Sequence, residues 1–116
     1  MAAQELDIRI TPISEKAFMR QVTDLATLRG WSWLHLRPSA GYSARDSWRT
    51  AADGPLAKGW PDLFLCRGDE MMFIELKSQV GRTTPEQDKV LAILSIVGFV
   101  RVYDPSDWDL IEDALR

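Results

Sequence analysis

Asp62, Glu75 and Lys77 are the residues whose types and spacing could do chemistry together. They lie in two apolar runs, Pro61–Cys66 and Met71–Lys77, on either side of Arg67-Gly68-Asp69-Glu70. Such runs around a short polar turn predict a β-hairpin, and glycine at the first central position suits a type II′ turn. Pairing Arg67 with Glu70 and stepping outward along both strands brings Asp62 opposite Glu75 on one face, with Cβ atoms roughly 5 Å apart. Lys77 shares that face with Glu75, while Ile74 and Leu76 point into the other layer. Two opposed carboxylates inside an apolar hairpin repel each other, and burying them unpaired is costly. A divalent cation removes the conflict. Mg²⁺ or Mn²⁺ takes oxygen ligands and keeps several waters, so two or three carboxylates suffice. Lys77 beside it could orient or help deprotonate a water, and offset charge on a phosphoryl oxygen in the transition state. The plain alternative is a Lys77 salt bridge to either acid on a solvated sheet face. The apolarity of both strands favours the metal site.

Two further polar residues fall on apolar stripes. Glu15 is spaced with Phe18 and Val22 on one helical face, so it is expected to point at the core and to supply a further metal-site carboxylate. As a first-turn acid it also suits the helix dipole. Gln87 shares a stripe with Val90, Leu91 and Leu94. It completes a capping box begun by Thr84, or it hydrogen-bonds near the metal or the scissile phosphate; the pattern admits both.

The elements that must carry these residues follow from the punctuation. Residues 1–13 have weak patterning and read as an N-terminal arm. Ser14 caps a first helix over 15–28, with Phe18, Val22 and Leu25 inward and Gly30 as its stop. Trp31–Arg37 alternates as a strand that Pro38 ends. Residues 38–59, broken by Gly41, Gly54, Pro55 and Gly59, read as a long functional or mobile loop. The hairpin follows. Thr84-Pro85-Glu86-Gln87 opens a second helix whose buried stripe is Val90, Leu91, Leu94 and Val97, stopped by Gly98. Phe99–Tyr103 is a short strand. Asp104-Pro105 opens a last helix that buries Trp108, Ile111 and Leu115. The order α-β-β-β-α-β-α predicts an α/β domain, with a mixed four-stranded β-sheet flanked by helices.

Composition bounds the rest. The chain has 116 residues, 46% hydrophobic and 27% charged, which is a single globular domain over 1–116. The net charge of −3 excludes a histone-like polycation, so any nucleic-acid surface must be local or metal-assisted. The single cysteine, Cys66, excludes an internal disulfide framework and a multi-cysteine zinc site, and is most simply a buried small hydrophobe. No apolar run approaches the ~20 residues of a membrane span, and charges occupy the N-terminus where a signal peptide needs an apolar core. A cytoplasmic protein with no membrane partner is expected. The tryptophans read mostly as core.

The residues that build the site resemble a known pattern. Pro61-Asp62 followed by Glu75-Leu76-Lys77 is similar to the PD-(D/E)xK nuclease signature. Gly59-Trp60-Pro61-Asp62-Leu63, Phe73-Ile74-Glu75-Leu76-Lys77 and a glutamine early in the next helix resemble the VRR-NUC (virus-type replication-repair nuclease) family, from about Ser14 to Tyr103. The resemblance implies a restriction-endonuclease-like core and Mg²⁺- or Mn²⁺-dependent hydrolysis of DNA phosphodiesters, leaving 5′-phosphate and 3′-hydroxyl ends. It implies Asp62 and Glu75 as metal ligands with the Leu76 carbonyl as a third, and Lys77 as the catalytic lysine. Glu15 matches the acid of the family's first helix, and with Gln87 it completes the site. Small stand-alone members are typical of bacteriophages and bacteria, and some act on Holliday junctions or other branched DNA as homodimers in repair and recombination. A dimer is expected here on size and family, since two-fold symmetry suits a junction.

Charge is segregated along the chain. Residues 29–58 carry Arg29, Arg37, Arg45, Arg49 and Lys58 against Asp46 and Asp53, whereas 104–116 carry five acids and one arginine. Arg37, Arg45, Arg49, Lys58 and Arg82 are the expected phosphate contacts. Tyr42 and Trp48 could stack on unpaired bases, although Trp48 packed back on the core is the simpler reading. His35 shares a strand face with Trp33 and Arg37 and reads as structural. The expected function is a structure-selective, metal-dependent DNA endonuclease. A sequence-specific restriction-like nuclease needs base-reading elements for which the chain has little room. A catalytically silent DNA-binding module of the same fold, or an interaction protein using the acidic C-terminal helix, complete the alternatives.

Overall fold

The computed structural model of the chain describes residues 13–36, 53–78 and 81–116. The expected order of elements holds: α1 (Glu15–Leu28), β1 (Ser32–His35), β2 (Leu63–Arg67), β3 (Glu70–Leu76), α2 (Pro85–Leu94), β4 (Phe99–Tyr103) and α3 (Trp108–Ala114), the last entered through a 3₁₀ turn at Pro105–Asp107. The four strands form one mixed sheet in the order β1-β2-β3-β4. β1–β2 and β2–β3 are antiparallel, and β3–β4 is parallel, with α2 as the crossover.

The hairpin has the register that its turn dictates. Arg67 pairs with Glu70, and the rungs run on through Phe64 with Phe73 to Leu63 with Ile74. Gly68 takes φ +61°, and no other residue type among those described has positive φ, so the turn is type II′. Side chains therefore alternate between two layers. Leu63, Leu65, Met72, Ile74 and Leu76 pack under α1 and α3 with Phe18, Val22, Ile111 and Leu115. Phe73, on the opposite face, packs with Val90 and Leu94 of α2 and with Phe64, Trp60 and Val100.

The helix ends are set by local hydrogen bonds. The Ser14 side chain accepts the Ala17 N–H, capping α1. At the other end the Gly30 N–H donates to the Thr27 carbonyl and the Trp31 N–H to the Ala26 carbonyl, a Schellman stop that drops Trp31 into the core. α2 ends earlier than its pattern suggests. It stops at Leu94, and Val97, expected in the buried stripe, is 68% exposed in the turn that follows. Gly98 is not a left-handed cap; a Cβ there would meet the Phe73 ring at 3.2 Å, so contact with the sheet selects it.

β1 is shorter than the alternating run, and it lies at the sheet edge with Trp33, Leu34 and Leu36 exposed. Of the described tryptophans Trp31 alone is buried, so the tryptophans are less of the core than their number suggests. Cys66 is half-buried. Ile13 of the expected arm packs on the core, and the rest of that arm lies outside the described residues. So do residues 37–52, which include Arg37, Tyr42, Arg45, Trp48 and Arg49. Among the described residues no helix is long and apolar enough to cross a membrane.

Candidate active site

Asp62 arrives at the site through two constraints on the turn before β2. Gly59 has φ +107°, and a Cβ on it would lie 2.4 Å from the Glu86 carbonyl oxygen. The backbone of this turn therefore rests directly on the first turn of α2. Trp60 meets Phe73 edge-on, with ring centroids 5.7 Å apart, and Pro61 is fully buried. The Asp62 carbonyl then accepts the Leu36 N–H at 3.1 Å, extending the β1–β2 pairing by one rung.

Each carboxylate locks onto the backbone across from it. The Asp62 N–H donates to Glu75 Oε1 at 3.2 Å, and the Leu76 N–H donates to Asp62 Oδ2 at 2.8 Å. Glu75 is 2% exposed. Its Oε2 accepts Gln87 Nε2 at 2.8 Å and pairs with Lys77 Nζ at 3.0 Å. Lys77 is itself largely shielded, its side chain 16% exposed. Gln87 does both things that its position admits. Its Oε1 accepts the Thr84 N–H at 2.9 Å, closing the capping box, while its amide nitrogen reaches the acid.

Burial shapes the charges. Glu75 is pushed up to about 7, by desolvation first and the Asp62 charge second, against the pull of Lys77. Asp62 is also raised by burial, with the Leu76 N–H, His35 and Lys77 acting the other way and Glu15 adding to the rise. A carboxylate pair whose buried charge is only partly compensated, with all-oxygen donors, is the donor set that suits a hard divalent cation.

Glu15 corrects the sequence reading in one respect. It is exposed rather than directed into the core, as are Lys16 and Ala17 of the same first turn of α1. It lines a cavity of about 820 Å³ between α1 and β1, together with Asp62, Leu76 and His35. His35, which the sequence left as structural, thus faces the same space as the acids. Among the described residues no group of three or more histidine, cysteine or acidic side chains is close enough to hold a metal. The acids brought together are Asp62 and Glu75, with Glu15 on the cavity wall.

Of the expected DNA contacts, two are described. Lys58 is exposed and pairs with Glu86 at 3.7 Å beside the start of α2. Arg82 is exposed and lines a second cavity of about 520 Å³ with Lys77, Tyr103 and Asp104. Arg37, Arg45, Trp48 and Arg49 lie outside the described residues. Arg67 has a role that its sequence context did not signal. It lies over the Trp31 ring and donates to the Arg29 and Arg116 carbonyls, tying the hairpin to the end of α1 and to Arg116.

Comparison of the chain with protein-family models, with curated proteins and with solved structures gives no match.

Proposed function

We propose that this chain is a divalent-metal-dependent DNA endonuclease of the PD-(D/E)xK type, similar to the VRR-NUC family and built on a restriction-endonuclease-like core. The observation that carries the reading is the convergence of Asp62, Glu75, Lys77 and Gln87 at one end of the sheet, with Glu75 as the shared partner. A random acidic pair on a hairpin does not bring a lysine and an inward glutamine to the same carboxylate.

Asp62 and Glu75 would hold Mg²⁺ or Mn²⁺, with the Leu76 carbonyl as a further donor and Glu15 on the wall of the adjoining cavity. The chemistry such an ion supplies when bound is polarisation of a phosphoryl oxygen and acidification of water. The chain's own residues do the positioning. Gln87 fixes the Glu75 carboxylate, and the Leu76 N–H fixes that of Asp62. Lys77 keeps a cation beside the reacting phosphate, where it can orient the attacking water and offset charge on phosphoryl oxygen. Arg82, which shares a cavity with Lys77, and Lys58, beside the start of α2, would bind flanking phosphates. We assign the substrate as branched DNA, such as flaps or Holliday junctions, cut by a homodimer in the cytoplasm of a bacterium or a phage-infected cell, and the products as 5′-phosphate and 3′-hydroxyl ends.

A second reading has one observation in its favour. Glu75 already has three hydrogen-bonding partners within the protein, which would also suit a DNA-binding module without turnover. A labelled panel of four-way junction, flap, splayed arm, duplex and single strand, each with Mg²⁺, Mn²⁺ or EDTA, separates the two. Metal-dependent cutting that is lost in Lys77→Ala supports the nuclease. Binding without cutting on every substrate, by folded protein, leaves the silent module.

A further inference from the structure

The cavity between α1 and β1 contains more than two carboxylates need. Its far wall is Trp33, on the edge strand and 42% exposed. The indole is not a loose surface ring: its Nε1 donates to Thr27 Oγ1 at 2.9 Å, which fixes it against α1. Lys16 and Arg20, one helical turn apart, also line the cavity. The Arg20–Asp24 pair is largely exposed to solvent, so Arg20 is easily drawn to another anion. One space thus has an aromatic wall, two cations and an end bearing Asp62. By strand register, the rung of Trp33 is three residues from the rung where Leu36 meets Asp62, or roughly 10 Å. That is within the reach of an extended nucleotide between its base and a neighbouring phosphate.

We propose that Trp33 is a stacking platform for an unpaired base, so that the cavity between α1 and β1 holds single-stranded DNA leading to the Asp62–Glu75 site. The nucleic-acid identity of the ligand rests on the nuclease reading above. The cations complement phosphates, which carry the non-specific part of binding. The indole supplies selectivity, because a base can lie on a protein ring only after it has left its own duplex stack. Preference for branched over continuous DNA then follows from one side chain and does not require base-specific contacts.

The test is fluorescence anisotropy on the full chain, with Ca²⁺ in place of Mg²⁺ to suppress cutting. The probes are a splayed-arm DNA carrying 2-aminopurine in one unpaired arm and a blunt duplex of equal length. Wild-type protein should prefer the splayed arm and quench the 2-aminopurine. Trp33→Ala should bind the splayed arm about tenfold more weakly, lose the quenching and bind duplex as before. Trp33→Phe, which keeps a π face, should stay within about threefold of wild type. If Trp33→Ala fails to fold, Trp33→Leu replaces it with the same expected loss. Equal affinity of the variant and wild type for the splayed arm overturns the proposal, as does an equal loss on both probes. Cleavage is scored separately. Cutting with no Trp33 dependence of binding sinks the platform alone; a Trp33-dependent preference with no cutting in any metal sinks the nuclease alone.

Discussion

Gln87 donates its amide nitrogen to Glu75 at 2.8 Å while its amide oxygen caps the helix that carries it. One side chain thus fixes both the start of α2 and the orientation of the buried acid. The two functions separate by substitution. Gln87→Ala loses both, and should lower stability by about 1–2 kcal/mol in thermal or urea unfolding. Gln87→Glu keeps the capping acceptor but sets a second carboxylate against Glu75. It should leave helix content unchanged by circular dichroism and move the midpoint of Mn²⁺ binding to higher pH.

Glu75 carries the clearest pH dependence. Its folded pKa, about 7, lies above the ordinary 4.5. The metal-free protein therefore has its full stability from this group below pH 4.5, and loses it as the pH rises towards 7 and the buried charge forms. The loss is on the order of 3 kcal/mol at most, from the linkage of one group. Glu75→Gln should flatten that part of the stability curve. Metal binding should release protons near neutrality and tighten as the pH rises through 7. Titration calorimetry in two buffers of different ionisation enthalpy measures that release, and equal heats in both would rule it out.

The hairpin was the most legible part of the sequence, because a Gly-Asp turn between apolar strands fixes every rung from Arg67–Glu70 to Leu63–Ile74. With the register set, Asp62, Glu75 and Lys77 had to meet. Gln87 was legible as an anomaly, a polar residue on a buried stripe, but its double bonding was not, because that depends on how α2 docks. Glu15 misled for a physical reason: helical periodicity gives the face, not whether that turn of the helix is covered, and the first turn of α1 is exposed. Val97 misled in the same way, since a stripe continues in sequence after its helix has stopped. His35 and Trp33 join the site through the edge position of β1, which pairing sets and local pattern does not announce.

Lys77 sits against a buried carboxylate and should be needed for more than catalysis. Lys77→Met should reduce cleavage by about a hundredfold or more. It should also destabilise the protein above pH 7, where Glu75 would be left charged and unpaired, and much less at pH 5, where Glu75 takes up a proton. The double variant Lys77→Met, Glu75→Gln should recover most of the lost stability and none of the activity. Unfolding at both pH values, with the double-mutant cycle, reads the coupling directly.

Gly59 makes the strongest structural prediction, because space and backbone conformation agree. Its φ of +107° disfavours any L side chain, and the atoms that a Cβ would strike are backbone: the Glu86 carbonyl oxygen at 2.4 Å and the Gln87 nitrogen at 3.0 Å. Neither can move without moving the capped first turn of α2. Gly59→Ala should therefore cost about 2–4 kcal/mol, more than an exposed loop glycine would. Gly54 supplies the control, with φ +102° and nothing within 4 Å of its Cβ position. Gly54→Ala carries the conformational strain without the collision and should cost about 1 kcal/mol. The displacement also has a chemical consequence, since Asp62 follows this turn and Gln87 lies beneath it. The mutant should lose Mn²⁺ affinity at temperatures where it is still folded. A Gly59→Ala protein as stable as Gly54→Ala, with unchanged metal binding, would show that the turn before β2 does not hold the carboxylates in register with α2.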